Sequence, residues 1–343
     1  MKCPSCNSLH PYKDGMKCKC GYNFVLNPKE APYFSDTLMK ATIDKLSGNG
    51  LYYFTRNQLY SALYKRRLQT TRKTRLWVGG FISLGILLLL SLMSFNVYGK
   101  KEGFFVSGFA FLLFVFIMNR LSKTSPKFMG DIFSLIDKYH QVHPIKNMAT
   151  GKAFQNLKEK KFDKSFFEHA PERILIVEHD DFTDVLLLNN FYFDEKCLVL
   201  SENKYPNRIF QAYQEFIEKH PDIPIHIMHD ASERGFKMEE RLRSDSSWKL
   251  SGKTILDMGI KKEDVEVLGK QGGFWIGKDK KEVSVHQNME ENMKKGYMVP
   301  MDFAPPLRMS GILAGSMLMG AGIGLAAQSL NRKGETVTDR GFG

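Results

Sequence analysis

This chain has 343 residues and a formal net charge of +12. Its length allows about two domains, and its basic excess favours an anionic partner, either nucleic acid or an acidic membrane surface. It shows no internal repeat and no long low-complexity tract, which excludes a repeat protein, and its polar, cysteine-bearing start predicts no secretory signal.

Two close cysteine pairs open the chain, Cys3 with Cys6 and Cys18 with Cys20, separated by a short polar loop. This spacing predicts a tetrahedral four-cysteine zinc site over residues 1–27. Disulfides are the alternative, but they fit poorly with a segment that we expect to be cytosolic and reduced. A site with four protein ligands has no open position for substrate, so we expect the zinc to be structural. The segment resembles small zinc ribbons of bacterial and archaeal proteins, which bind nucleic acid, bind protein or only fold.

A basic helical segment is predicted over residues 33–75. Ser35–Leu46 has the pattern of a helix, and Thr55 is a suitable N-cap for a second helix. The pair is either a DNA-reading helix-turn-helix or a plain helical hairpin. The basic residues that follow could contact phosphates, but they also mark the cytoplasmic side of a membrane span, and we favour this second interpretation. The predicted nucleic-acid contacts come from this segment and from a later loop that contains Lys204 and Arg208. They are Arg56, Tyr60, Lys65, Arg66, Arg67, Lys204 and Arg208.

Two apolar runs predict a transmembrane hairpin over residues 76–121. Leu76–Phe95 is uncharged and about as long as a membrane span, and Phe104–Met118 is a shorter second run. Basic residues on both outer sides predict that the two ends lie in the cytoplasm. We therefore expect a multi-pass protein of the cell membrane with a cytoplasmic N-terminus, and a helical linker over residues 122–170.

Acidic residues follow β-like runs in the centre of the chain. Three short apolar runs alternate with amphipathic segments, at residues 174–177, 197–200 and 223–228. This alternation predicts a parallel α/β sheet, in which the carboxyl ends of the strands share one crevice. Glu178, Asp181 and Asp230 then converge, and their carboxylates could hold Mg²⁺. The alternative is that these acids only cap the helices that follow them.

Five motifs in order resemble the topoisomerase VI A subunit, of the meiotic double-strand-break transesterase family. They are the Thr55–Ser61 segment, Glu178 after its strand, the strand and loop of Leu198–Arg208, the Asp230–Gly235 segment and the Leu256–Asp264 segment. They cover about half of the chain. The resemblance implies a winged-helix-like segment, and a Toprim-like α/β domain over residues 171–277 that binds a divalent metal and nucleic acid.

Two departures from the family pattern concern the chemistry. Ser61 stands where the family has its tyrosine nucleophile, and Ser232 stands where it has a second metal-binding aspartate. Tyr60 is one position away, and one step along a helix turns a side chain by about 100°. We therefore expect strand cleavage to be weak or lost. A receiver domain with Asp230 as phosphoacceptor is a weaker alternative, because no convincing later strand ends in lysine.

The C-terminal part is predicted as a charged linker (278–308), a glycine-rich apolar helix (309–331) and a tail (332–343). Glycines four residues apart in the helix favour close packing in a membrane or between copies, and a buried or membrane-surface helix is the alternative. The predicted fold class is thus a multidomain α/β membrane protein. We expect it to bind nucleic acid, a protein partner or a second copy. The alternatives are a non-enzymatic effector or scaffold of antiviral defence, and a single-metal phosphoesterase.

Overall fold

The computed structural model describes 1–30, 33–66, 77–81, 85, 114, 116, 132–158, 171–265, 275–276, 282–283, 293–294, 296–324 and 326. The chain divides into two compact units. One consists of Met1–Ala62 and Gly130–Gly343, and the other is Leu63–Met129. The first unit contains the cysteines, the sheet and the acidic residues considered above.

A four-stranded parallel sheet lies at the centre of the first unit. The strands are β1 (Arg173–Val177), β2 (Cys197–Ser201), β3 (Ile225–Met228) and β4 (Ile255–Asp257), in the order β2-β1-β3-β4. The residues of β1 to β3 are almost all buried, which explains why these strands are continuous apolar runs rather than alternating ones. Because β1 and β3 are neighbours, Glu178 and Asp230 follow at the same edge of the sheet.

Helices connect the parallel strands. They are α5 (Asp180–Leu188), α6 (Phe191–Asp194), α7 (Asn207–Lys219) and α8 (Met238–Ser244). In α7 the buried residues Ile209, Phe210, Tyr213 and Ile217 form one apolar stripe at helical spacing. The Tyr213 hydroxyl donates to the main-chain oxygen of Trp248 at 2.5 Å, so the polar end of this buried ring has a partner.

Further helices precede the sheet in the described part of the chain. Among them are α1 (Asp36–Leu46), α2 (described over residues 56–66), α3 (Ile132–Val142) and α4 (Ala153–Lys158). The predicted starts of the first two are present: the Ser35 hydroxyl accepts from Leu38 N at 3.2 Å, and the Thr55 hydroxyl accepts from Gln58 N at 3.0 Å. A short antiparallel pair, β5 (Trp275–Ile276) and β6 (Glu282–Val283), lies later in the chain.

The glycine-rich C-terminal segment belongs to the core of the sheet. It forms α9 (Pro306–Met319), which ends where Gly320 adopts a φ of 58°. Met309, Ile312 and Leu313 are buried in the same hydrophobic core as the strands. The prediction of a membrane helix at 309–331 is wrong, because α9 has only 14 residues and its apolar side chains pack against protein.

The predicted transmembrane hairpin at 76–121 lies almost wholly outside the described residues. Within the described part of the chain, no helix is long and apolar enough to cross a bilayer. The predicted fold class of a multidomain membrane protein is therefore wrong, and so is the cell-membrane localisation. The sequence rule counts uncharged residues, and α9 shows that such a run is equally suited to a protein core.

Candidate functional site

The carboxyl ends of β1 and β3 bring together the two predicted acidic residues, Glu178 and Asp230. Both are almost fully buried. Oε2 of Glu178 accepts a hydrogen bond from the main-chain nitrogen of Asp230 at 2.9 Å, which joins the ends of the two strands. Burial and the neighbouring Asp230 carboxylate raise the pKa of Glu178. The predicted convergence at one edge of the sheet is thus present.

Both oxygens of Asp230 have protein partners. Oδ1 accepts from the main-chain nitrogen of Met301 at 2.7 Å, and Oδ2 lies 2.7 Å from Nε2 of His179. Burial alone would lower the pKa of His179, but the carboxylates of Asp230, Glu178 and Asp181 outweigh it and raise that pKa to about 10. His179 is therefore a cation at neutral pH, and it compensates the buried negative charge of Asp230.

Two arginine residues compensate the negative charge of glutamates on the outer side of the cluster. Nε of Arg234 lies 3.5 Å from Oε1 of Glu178, and Nη2 of the same guanidinium lies 3.4 Å from Glu202. Arg241 donates to both oxygens of Glu202, at 2.5 and 2.9 Å, which is the strong bidentate geometry. Hydrogen bonds to Arg241 and Arg234 outweigh burial and lower the pKa of Glu202.

A third buried carboxylate, Asp302, joins the cluster from the C-terminal part of the chain. It accepts from the hydroxyl of Thr55 and from Nδ2 of Asn57, the latter at 3.2 Å. Burial, followed by the charges of Asp181 and Asp230, raises the pKa of Asp302 to about 7. The beginning of α2 thereby binds directly to the segment that also supplies the Met301 nitrogen.

One side of α2 continues these contacts along the same segment. Nε2 of Gln58 donates to the Ala304 oxygen at 2.7 Å, and the buried hydroxyl of Ser61 donates to the Phe303 oxygen at 3.2 Å. Ser232 has a similar local role, since its hydroxyl accepts from Gly235 N at 2.8 Å. Both serines named in the family resemblance thus have local hydrogen bonds.

Three side chains at this edge have the geometry of a possible metal site. One ligand atom from each of Glu178, His179 and Asp230 lies within 4.8 Å of the others. Asp181, the third predicted acid, is not in this group, and its Oδ1 accepts from its own neighbour Phe182 N at 2.8 Å. A set with an imidazole differs from the all-oxygen shell that Mg²⁺ prefers and is closer to the ligand sets of transition metals.

The four N-terminal cysteines lie together and could hold a metal ion. Cys3 and Cys20 have their sulfurs 3.6 Å apart, and Cys6 and Cys18 have theirs 3.7 Å apart. Sulfurs at about 2.3 Å from a tetrahedral zinc ion are about 3.8 Å from one another, whereas a disulfide requires about 2.05 Å. Hydrogen bonds from Ser8 lower the pKa of Cys6 to about 6, which favours the thiolate that binds metal. The four sulfurs are thus placed to hold a metal ion, and the two close pairs are too far apart for disulfide bonds.

A buried aspartate attaches the cysteine module to α1. Asp36, the first residue of α1, accepts from the main-chain nitrogens of Val25 and Leu26 at 2.9 and 2.8 Å and from the hydroxyl of Tyr22 at 3.0 Å. Three hydrogen bonds and the position at a helix N-terminus stabilise this carboxylate. The module is therefore held firmly to the helical part of the same unit.

Two of the predicted nucleic-acid contacts, the half-buried Arg56 and the buried Tyr60, make contacts within the protein. Arg56 pairs with Asp137 and donates to the main-chain oxygen of Phe133 at 3.2 Å. Tyr60 is 1% exposed, and its ring stacks on Phe133 with centroids 4.4 Å apart. These two residues connect α2 to α3.

The other predicted contacts have different surroundings. Lys204 pairs with Asp245 at 2.8 Å, and Arg208 is exposed in the first turn of α7. Lys65 and Arg66 are half-buried residues of α2 in the second unit, and Arg67 lies outside the described residues. The role of these residues in binding nucleic acid stays a prediction.

Comparison of the chain with protein-family models, with curated proteins and with solved structures finds no match. The Toprim-like resemblance stays a prediction from the five motifs.

Sequence reasoning missed several parts of the cluster. Asp302 and Met301 lie in a segment that was interpreted as a charged linker, and nothing in their local pattern marks them. His179 is not among the predicted site residues. Its position next to Glu178, directly after a strand, was the available signal. Arg234 is within the Asp230–Gly235 motif, so its proximity to the acids was open to inference.

Proposed function

We propose that this chain is a nucleic-acid-binding protein that combines a zinc ribbon with a degenerate Toprim-like α/β domain, and that its strand-cleaving activity is weak or lost. The basic net charge supports nucleic acid as the partner. The four-cysteine geometry supports structural zinc. The ordered motifs support the Toprim-like interpretation.

The hydrogen bond from Ser61 to the Phe303 oxygen is the observation that carries the loss of cleavage. A nucleophile must reach a phosphodiester, whereas this hydroxyl is 3% exposed and donates its proton to a main-chain oxygen. Within the described residues, this hydroxyl has no hydrogen bond to an aspartate, glutamate or histidine. No base is therefore placed to activate it. Attack by Ser61 would require α2 to separate from residues 302–304.

The acidic cluster supports the same conclusion. Asp230 binds Met301 N and His179, and Glu178 binds Asp230 N and approaches Arg234. A metal ion would have to replace these partners, at the cost of hydrogen bonds that are made in a buried place. The cluster therefore acts first as the structural connection between the sheet and the segment around Met301.

Binding and cleavage assays on the purified full-length chain test the proposal. We expect labelled single-stranded or duplex DNA or RNA to bind, with affinity falling steeply between about 50 and 200 mM salt because phosphate contacts release counterions. We expect no nicking of supercoiled plasmid with Mg²⁺ or Mn²⁺. Affinity that does not depend on salt would contradict binding through contacts between basic residues and phosphates. Robust divalent-dependent nicking that Glu178→Gln abolishes would contradict the loss of cleavage.

A single-metal phosphoesterase is the second candidate, because ligand atoms of Glu178, His179 and Asp230 lie within 4.8 Å of one another. Calorimetry with Mn²⁺ and Mg²⁺ distinguishes it from the first. A site made by these side chains should prefer Mn²⁺ and should lose binding in both His179→Gln and Asp230→Asn. Absence of saturable binding in the wild type would leave the cluster a structural one.

A further inference from the structure

We propose that a groove between the cysteine module and the helices α1 and α3 binds one or two nucleotides of a single-stranded nucleic acid. This inference rests on the proposed function and assigns the binding to a surface that the sequence did not indicate. The groove, which we call the ribbon groove, has a volume of about 420 Å³, within the range of small-ligand sites. The residues that matter are Pro4, Tyr22, Lys40, Tyr139, His143 and Lys146.

The charge of the ribbon groove favours an anion. Lys40 on α1 and Lys146 after α3 both line it and are exposed, and none of its described lining residues is an aspartate or glutamate. The buried carboxylate of Asp36, which is bonded to Tyr22, is stabilised by three hydrogen-bond donors. Nζ of Lys40 lies 3.2 Å from the Pro4 oxygen, which positions the ammonium at the rim on the side of the cysteine module.

The aromatic rings of the groove favour a flat ligand. Tyr22 and His143 are stacked with centroids 4.4 Å apart and planes within 3°, and Tyr139 packs against His143 at 5.2 Å. The Tyr22 hydroxyl is fixed by Asp36, and Nε2 of His143 lies 2.8 Å from the Asn23 oxygen. These rings are ordered before a ligand arrives, so binding costs little side-chain entropy.

Cations beside fixed aromatic rings are the features by which proteins hold single strands, because the cations contact phosphates and the rings stack on bases. A concave site needs an unstacked base, which a regular duplex does not present. An acidic peptide would satisfy the two lysines but has no flat group to extend the stack of Tyr22 and His143. The geometry therefore favours a single strand over a peptide.

Binding of a fluorescein-labelled thymidine oligonucleotide to the zinc-loaded full-length chain tests the inference. We expect the double variant Lys40→Gln, Lys146→Gln to bind about tenfold more weakly, with a salt dependence shallower by about 1.4 because two single-strand phosphate contacts are lost. The matched control, Lys13→Gln with Lys219→Gln, removes two exposed lysines outside the groove and should change affinity by less than about threefold. His143→Leu keeps an apolar side chain, removes the aromatic ring, and should weaken binding about fivefold.

The outcomes separate this inference from the proposed function. Equal affinity in the groove variant and the control variant, with clear binding by the wild type, overturns the ribbon groove and leaves the nucleic-acid proposal intact. A wild type that binds no DNA or RNA at low salt overturns both. Displacement of the oligonucleotide from the wild type by polyglutamate but not by thymidine monophosphate would identify the groove as a peptide site and overturn the inference. Zinc content and thermal unfolding of each variant exclude misfolding as the cause of lost binding.

Discussion

Replacing the buried Asp302 by asparagine should stabilise the protein, and more so at high pH than at low pH. Burial, together with Asp181 and Asp230, raises the pKa of this carboxyl from 3.8 to about 7. Between these values the folded protein holds a proton that the unfolded chain has lost. The stability associated with the protonated form is complete below about pH 4 and falls as the pH rises towards 7.

The pKa shift gives the size of the effect. One unit corresponds to about 1.4 kcal/mol, so ionisation of Asp302 costs about 2 kcal/mol at pH 5 and about 4 kcal/mol at pH 8. Asparagine removes this cost and keeps the geometry, since its oxygen can accept from Asn57 and its amide nitrogen can donate to Thr55. We expect Asp302→Asn to gain about 2 kcal/mol more over the wild type at pH 8 than at pH 5.

Urea unfolding of both proteins at the two pH values, followed by circular dichroism, measures the difference. Glu215→Gln, which removes an exposed carboxylate of α7, is the control and should show almost the same difference at both pH values. A gain for Asp302→Asn that does not change between pH 5 and pH 8 would refute the reasoning. A loss at both values would mean that the contacts to Thr55 and Asn57 need the negative charge.

Two further predictions concern a close contact and the cysteine module. Gly259→Ala should lower the unfolding free energy by more than about 2 kcal/mol in urea, because a Cβ there would lie 2.4 Å from the buried His229 ring. Gly311→Ala, where a Cβ meets nothing within 4 Å on the exposed side of α9, should instead stabilise by about 0.5 kcal/mol; similar losses at both would contradict the steric argument. Cys18→Ser should reduce the zinc content, measured by atomic absorption, well below the one ion per chain expected for the wild type. Cys197→Ala, far along the chain in β2, should leave it unchanged, and equal zinc loss in both would argue against the four-cysteine site.

Local patterns were sufficient for the parts of the fold that depend on local chemistry. The apolar runs at β1, β2 and β3 are strands because β-branched and large apolar residues in short blocks suit a sheet that is buried on both faces. The cysteine spacing indicated the close set of sulfurs for a similar reason, since four ligands in two pairs leave few arrangements. Pattern alone could not distinguish a lipid-facing helix from α9, because both environments accept the same side chains.

The site could be predicted only as far as it is made by neighbouring strand ends. Glu178 and Asp230 meet because parallel topology requires it. Asp302 lies 72 residues beyond Asp230, and its position depends on a tertiary contact that has no sequence signature. The surroundings of Arg56 and Tyr60 also depend on tertiary contacts. Their residue types suit nucleic acid, but their helix faces α3, so an ion pair and a stacked ring use them internally.

The contacts of Asp302 connect the position of α2 to the acidic cluster. Its pKa of about 7 means that, near neutral pH, Asp302 exchanges a proton while it holds the beginning of α2 through Thr55 and Asn57. Ionisation strengthens these hydrogen bonds but adds a charge beside Asp230, so the two effects oppose each other. Movement of α2 away from residues 302–304 would expose Ser61 and would also break the contacts of Asp302. The same segment supplies the Met301 nitrogen to Asp230, so loosening it would affect both ends of the cluster together. The cluster and the buried Ser61 are therefore parts of one packed arrangement, and the stability of that arrangement keeps the serine away from any substrate.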